Sequence, residues 1–131
     1  MGGPSTETVR VIDSADACPE IPIVDGAGNA KVVLWPGNGA EFRTMQVIRL
    51  EDGAATIALT HPVDCVYYVA AGAGQIVDLA TGAASDLAEG AMVHIDAGDG
   101  YKLRAAAGGD LTVLGGPCPA DPGLYSQLVS A

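Results

Sequence analysis

Short apolar runs separated by turn residues make up most of this chain. Runs of four to seven residues rich in Val, Ile, Leu, Tyr and Ala recur about every 8–12 residues, with Gly, Pro, Asn or Asp between them. The runs fall at 31–35, 45–50, 54–60, 65–70, 75–79, 91–95, 101–105 and 111–114. The sequence shows no long amphipathic helical period beside them. The pattern predicts a single all-β domain of the sandwich or barrel type.

The two ends of the chain lack the regular pattern of short apolar runs seen in the middle. Residues 1–30 mix turn formers with short apolar groups, which predicts an irregular N-terminal arm, and residues 31–117 then form the barrel. Prolines at 117, 119 and 122 exclude a helix before Gly123. We therefore expect residues 118–131 to form an extended C-terminal strap, with at most a short helical turn within 121–129.

Amino-acid composition and net charge limit the kinds of molecule that this protein is expected to bind. The chain has 131 residues, 49% of them hydrophobic, which is enough for one domain with a core. Its 16 acidic and 6 basic residues give a net charge of -10, which works against binding to nucleic acid or to an anionic membrane surface. The opening MGGPSTETVR lacks the layout of a secretion signal, so a cytoplasmic location is expected. The three cysteines form no CxxC pair and so indicate no zinc knuckle.

Two glycine-framed motifs carry a family resemblance. The first runs from Gly53 through Leu59-Thr60-His61 and Cys65 to Gly72, and the second through Gly90, Asp96, Gly98 and Tyr101. Their spacing resembles the two motifs of the cupin superfamily over roughly residues 31–117. The resemblance implies a single-domain cupin jelly roll, a double-stranded β-helix barrel like those of small bacterial cupins. It also implies a homodimer, since many such barrels pair through edge strands and terminal arms.

The metal-binding positions of that family are degenerate in this chain. A typical cupin holds Fe, Mn, Ni or Zn with three histidines and one glutamate, and the corresponding positions here are Leu59, His61, Cys65 and Tyr101. Leucine has no donor atom, and Cys and Tyr bind these metals only when ionised. We therefore expect no metal cofactor. A site for Fe, Ni, Mn or Zn built from His61, Cys65 and Tyr101 is the open alternative.

The same positions supply the candidate catalytic residues. The resemblance places His61, a candidate general acid or base, and Tyr101, a candidate donor to an oxyanion, in the barrel interior. Cys65 is either a small buried apolar residue or a nucleophile with His61 as its base. Tyr67 should face the same way as Cys65, and Tyr68 should face outward, because side chains alternate along a strand.

Four further residues complete the expected pocket. The candidate substrate-binding residues are Tyr67, Gln46, Leu59 and Arg43. Gln46 and Arg43 are within reach of the barrel mouth, but strand parity leaves open which side of the sheet they face. His94 is expected to be a packed or half-exposed structural histidine.

Three functions remain open at this stage. The leading hypothesis is an enzyme: a metal-independent cupin that binds a small organic molecule and catalyses isomerisation, cyclisation or elimination by acid–base chemistry and positioning. The second is a non-catalytic ligand-binding or sensory module. The third is a metal-dependent oxygenase or lyase with an unusual ligand set.

Overall fold

The computed structural model describes residues 9–40 and 42–129, and residues 126–129 by their backbone alone. The first eight residues of the expected arm and the last two of the expected strap lie outside the described residues. In these ranges the chain forms strands β1 (Val24–Asp25), β2 (Gly28–Leu34), β3 (Met45–Leu50), β4 (Ala55–Thr56), β5 (Asp64–Asp78), β6 (Ala84–Ala88), β7 (Met92–Ile95), β8 (Tyr101–Ala105) and β9 (Leu111–Cys118), followed by helix α1 (Pro122–Val129).

Strand β5 organises the sheet because it belongs to both halves of the barrel. Its first part pairs with β9 on one side and β7 on the other, and its last part pairs with β8 and β6. The main path of antiparallel neighbours is β1-β4-β8-β5-β9-β3-β2. The expected all-β jelly roll is confirmed.

Side-chain alternation places the core between the two halves. Tyr101, Leu103 and Ala105 of β8 are buried and the two residues between them are exposed. Strand β3 likewise buries Ile48 and Leu50. Strict alternation of this kind indicates a strand with one face packed and one face solvated. The runs predicted at 45–50 and 101–105 coincide with β3 and β8.

Glycine was a poor guide to where strands end. The sequence predicted a break at Gly72-Ala73-Gly74, but β5 continues through all three residues. An added Cβ at Gly74 would lie 2.1 Å from the carbonyl oxygen of Arg104. Glycine is therefore needed there for close approach of a neighbouring strand. Elsewhere, only Ala55–Thr56 of the run at 54–60 forms a strand, and the run at 111–114 extends to Cys118.

The C-terminal segment is helical from Pro122 to Val129, within the range 121–129 where a short helical turn was expected, but the helix is longer than one turn and replaces most of the expected extended strap. Helix α1 begins at Pro122, one residue before the expected limit, because a proline at the first helical position forfeits no helical hydrogen bond. The Asp121 carboxylate caps it by accepting the Gly123 N–H at 3.0 Å. Within the described residues, no helix has the length and apolar character needed to span a membrane.

The later part of the expected N-terminal arm packs against the barrel, whereas Val9 and Val11 are largely exposed. Ile21 and Ile23 are buried in the core, and β2 begins at Gly28, inside the segment expected to be irregular. This segment therefore contributes to the core.

We predict a large difference between two glycine substitutions. Gly72 and Gly82 both have positive φ, +80° and +76°, so alanine is strained at either position. An added Cβ at Gly72 would lie 2.0 Å from the Asp110 carbonyl oxygen, whereas nothing lies within 4 Å at Gly82. Gly82→Ala should cost about 1–2 kcal/mol of unfolding free energy, and Gly72→Ala several kcal/mol more. Equal losses in urea unfolding would contradict the described pairing of β5 with β9.

Candidate functional site

Four side chains with polar ends meet inside the barrel. His61, Cys65, Tyr67 and Tyr101 are all buried, none more than 4% exposed. Tyr67 shares the inner face of β5 with Cys65, and Tyr68 points outward with 41% of its surface exposed, as the alternation predicts. The barrel thus brings together all three predicted catalytic residues and one of the predicted substrate-binding residues.

The hydroxyl of Tyr101 is the centre of this cluster. It lies 2.8 Å from Nε2 of His61, 2.6 Å from the hydroxyl oxygen of Tyr67 and 3.6 Å from Sγ of Cys65. On the other side of the imidazole, Nδ1 of His61 lies 2.8 Å from Oδ2 of Asp121. The result is a continuous buried chain of polar groups, Tyr67–Tyr101–His61–Asp121.

The carboxylate at one end of this series of polar groups sets the direction of its hydrogen bonds. An ionised carboxylate can only accept, so Nδ1 of His61 carries a proton and donates a hydrogen bond to Asp121. When the imidazole is neutral, Nε2 is the acceptor and the Tyr101 hydroxyl donates to it. The Tyr101 oxygen then accepts the hydrogen bond of the Tyr67 hydroxyl. The order carboxylate, imidazole, hydroxyl is that of a catalytic triad with tyrosine in the place of serine.

Backbone pairing holds the two central rings in register. Leu59 and Tyr101 form an isolated antiparallel bridge with two hydrogen bonds of 2.9 Å, and the His61 carbonyl accepts the Gly98 N–H at 2.7 Å. The Leu59 side chain is buried in the core. Leu59 therefore positions Tyr101 through its backbone, and its side chain lines none of the cavities described in the structure.

Asp121 was not among the residues that the sequence predicted for the site. It lies 60 residues from His61 along the chain and sits at the start of α1, where Oδ1 caps the helix while Oδ2 accepts from His61. The local signal was the pair Asp121-Pro122, which is typical of a helix N-cap followed by a first-turn proline. That signal predicts the helix start, and nothing local predicts the contact with His61.

A second contact anchors the helix against the barrel. Tyr125 of α1 is buried, its ring centroid lies 5.8 Å from that of Trp35, and its hydroxyl oxygen accepts from Nε2 of Gln46 at 3.0 Å. Gln46, whose side of the sheet the sequence left open, is fully buried and holds α1 through this hydrogen bond. Arg43 is exposed and lines none of the described cavities, so its expected contact with substrate is not supported.

Burial keeps the acidic groups of the cluster protonated. It raises the pKa of the Cys65 thiol to about 11 and moves the pKa values of the Tyr67 and Tyr101 phenols well above their usual range. At neutral pH the cluster therefore contains a thiol and two phenols. A cysteine nucleophile needs a lowered pKa, so the nucleophilic alternative for Cys65 is not supported.

The residues at the family's metal positions do not fit a metal ion. Leu59 offers no donor, and Nε2 of His61 is engaged by Tyr101 at 2.8 Å. Cys65 and Tyr101 would have to ionise before binding, and burial opposes this for both. Only His61 remains as an ordinary ligand.

One other group of possible ligand atoms lies at the surface. Asp64, His94 and Asp96 are all exposed, and in the described part of the chain their donor atoms lie within 4.8 Å of one another. Nε2 of His94 lies 3.0 Å from an Asp96 oxygen, and Asp64 accepts the Ala97 N–H at 2.9 Å. His94 is thus an exposed, hydrogen-bonded residue separate from the buried chain.

A cavity of about 470 Å³ lies against the buried cluster. It is bounded by the end of β5, by β6 and β7, and by the turn that leads into β8. Its lining includes the apolar side chains Ile76, Leu87, Val93 and Ile95 and the exposed carboxylates Asp78, Asp86, Asp96 and Asp99. Tyr101 is the one member of the buried chain that lines it. An apolar space with a few polar groups is the usual form of a small-ligand site.

Comparison with solved structures confirms the cupin fold. The chain superposes on the polyketide cyclase RemF from Streptomyces resistomycificus with a TM-score of 0.72 and 14% identity, covering 88% of this chain and 82% of that one. It superposes on a predicted oxalate decarboxylase from Thermotoga maritima with a TM-score of 0.70 and 19% identity, covering 85% and 100%. For a cupin-like protein from Thermotoga maritima the TM-score is 0.69 at 20% identity, covering 89% and 83%.

The fold shared with these structures is the cupin-type double-stranded β-helix barrel. No protein-family model and no curated protein sequence matches the chain. At the identities found, the similarity establishes the fold alone, and the activity must be argued from the site.

We predict that Cys65 resists alkylation in the folded protein. A thiol with a pKa of about 11 is ionised in only about one molecule in a thousand at pH 8, and Cys65 is fully buried. In a Cys18→Ser/Cys118→Ser variant, iodoacetamide should label Cys65 after unfolding in urea and leave it unlabelled in the native state, as read by mass spectrometry. Rapid labelling of the native protein would restore the nucleophile hypothesis.

Proposed function

We propose that this chain is a metal-independent cupin enzyme. It binds a small organic molecule in the cavity of about 470 Å³ and catalyses an isomerisation, cyclisation or elimination by proton transfer at Tyr101. The observation that carries the proposal is the double position of Tyr101, which is one of the residues that line the cavity and whose hydroxyl lies 2.8 Å from Nε2 of His61 in the His61–Asp121 pair. The RemF neighbour, a polyketide cyclase, supports small-molecule chemistry on this fold by analogy only.

The hydrogen bond from the Tyr101 hydroxyl to His61 suits a mechanism in which the Tyr101 oxygen accepts a proton from the substrate. As a substrate C–H or O–H proton moves to that oxygen, the Tyr101 proton moves to Nε2 of His61, and the imidazolium formed is stabilised by the Asp121 carboxylate at 2.8 Å. The substrate keeps the electron pair. Return of the proton at another atom completes an isomerisation, and loss of a leaving group completes an elimination.

Neighbouring groups control the charge in this step. The Tyr67 hydroxyl donates to the Tyr101 oxygen at 2.6 Å, so it stabilises negative charge that develops there. Because burial raises the pKa of Tyr101, a free phenolate is costly, and proton arrival at its oxygen must be coupled to proton departure toward His61. His61 is thus the proton acceptor of the pair and Asp121 is its positioning residue.

The donor set supports the metal-independent form of the proposal. Three of the four positions used by metal-dependent cupins lack an ordinary ligand in this chain. We therefore assign no step to an Fe, Ni, Mn or Zn ion.

A non-catalytic binding module is the second candidate, and one observation favours it. The Tyr67 and Tyr101 hydroxyls and both imidazole nitrogens already have partners inside the protein. Such a network needs no ligand to complete its hydrogen bonds. In a binding module, its role would be to make the core rigid. The two candidates differ in what the loss of a single hydroxyl does to turnover.

We predict that Tyr101→Phe separates binding from turnover. Ligands are first found by NMR titration of a metabolite library, and binders should shift the backbone amides of cavity residues such as Leu87 and Val93. Tyr101→Phe and His61→Gln should then lower turnover of an identified substrate by about 10²–10⁴-fold, with affinity changed only several-fold. Tyr68→Phe, an exposed neighbour on the same sheet, is the matched control and should behave as wild type.

The opposite results have distinct meanings. Full turnover by Tyr101→Phe would contradict the proton-transfer role. In the wild-type protein, the proposal predicts that turnover is unchanged after a chelator has removed any metal. Stoichiometric Fe, Ni, Mn or Zn that is lost in His61→Gln but kept in His94→Gln would contradict metal independence, whereas the reverse pattern would locate the metal at the surface group of Asp64, His94 and Asp96.

A further inference from the structure

Four carboxylates dominate the charged lining of the cavity. Asp78 comes from the end of β5, Asp86 from β6, and Asp96 and Asp99 from the turn before β8. None of the six Lys and Arg residues of the chain, all of which lie in the described ranges, lines the cavity. Any ligand that enters therefore passes four carboxylates, and among the described lining residues His94, whose Nε2 lies 3.0 Å from an Asp96 oxygen, is the one basic side chain beside them.

We infer that the ligand of this cavity is an organic cation, such as a protonated amine or an amidine. The inference rests on the proposed function, since it names the substrate class of the same site. Carboxylates that surround a cleft with low-dielectric walls raise the local concentration of cations and lower that of anions. A carboxylate substrate would lose affinity for the same reason.

The walls of the cavity indicate an organic ligand in preference to a bare metal ion. Ile76, Leu87, Val93 and Ile95 line it and present no oxygen or nitrogen ligand from their side chains. The four carboxylates are exposed, whereas Leu87, Ile95 and Tyr101 are buried. This gradient fits a molecule whose apolar body contacts the floor while its charged group stays near the aspartates. The aromatic ring of Tyr101 adds a surface that favours a nearby cation.

Two of the four carboxylates can be changed with little cost to the fold. Asp96 and Asp99 are both exposed, on a turn whose backbone hydrogen bond joins the Asp99 N–H to the Asp96 carbonyl. The Asp96→Asn/Asp99→Asn variant keeps the shape of both side chains and removes two charges. Asp16→Asn/Glu51→Gln removes the same charge from exposed positions that line none of the described cavities, and it is the matched control.

The test compares ligands that differ in charge alone as far as possible. Matched probes such as tryptamine, tryptophol and indole-3-acetate, or benzylamine, benzyl alcohol and benzoate, are titrated into wild type and both variants by NMR at low and at physiological salt. The amine should bind roughly ten-fold more tightly than the alcohol at low salt, and the carboxylate more weakly than either. The preference should fall severalfold with salt and in Asp96→Asn/Asp99→Asn, and it should persist in the control variant.

The outcomes separate this inference from the proposed function. If alcohols bind in the cavity and amines bind no better, the charge inference is wrong and the cavity remains a ligand site. If no probe of any charge shifts the cavity residues, both proposals are contradicted. Displacement of the amine by an equal concentration of Zn²⁺ would show that the carboxylates serve a metal ion, and it would overturn the inference as well.

Discussion

The hydrogen bonds of one buried hydroxyl, that of Tyr101, constrain the interior of this barrel. A polar group that is buried without a hydrogen-bond partner costs about 1–3 kcal/mol. The Tyr101 hydroxyl is the partner of His61 and Tyr67, and His61 in turn engages Asp121. Loss of that hydroxyl would leave two further polar groups without partners in the core. The constraint therefore fixes the relative positions of β5, β8 and the segment before β5.

The same constraint reaches the C-terminal helix. The Asp121 carboxylate uses one oxygen to cap α1 and the other to accept from His61. Tyr125, one turn later, is held by Gln46 and packs against Trp35. The helix is thus tied to the barrel at two points, and one of them orients the imidazole. Removal or displacement of α1 would alter the site directly, because the positioning carboxylate belongs to the helix cap.

The sequence predicted those parts of the structure whose signals are local. The strict alternation in 45–50 and 101–105 defines strands β3 and β8. The resemblance to the cupin motifs, which is not a local signal, implied that His61, Cys65 and Tyr101 lie together. Glycine carries two opposite meanings, a turn or a close approach of strands, and at Gly74 the second applies. The roles of Asp121 and Gln46 depend on contacts 60 and 79 residues away in the chain. No local pattern encodes such pairings, so they required the three-dimensional structure.

Measuring which ring nitrogen of His61 carries the proton is the most direct test of the hydrogen-bond direction in the buried series Tyr67–Tyr101–His61–Asp121. Nitrogen-15 NMR of histidine-labelled protein distinguishes a ring protonated on Nδ1 from one protonated on Nε2. The account predicts that His61 at neutral pH carries its proton on Nδ1, in slow exchange with water, and that Asp121→Asn shifts this Nδ1–H resonance while His94 is unaffected. An Nε2-protonated or rapidly exchanging His61 in the wild-type protein would contradict the chain from Asp121 to Tyr67.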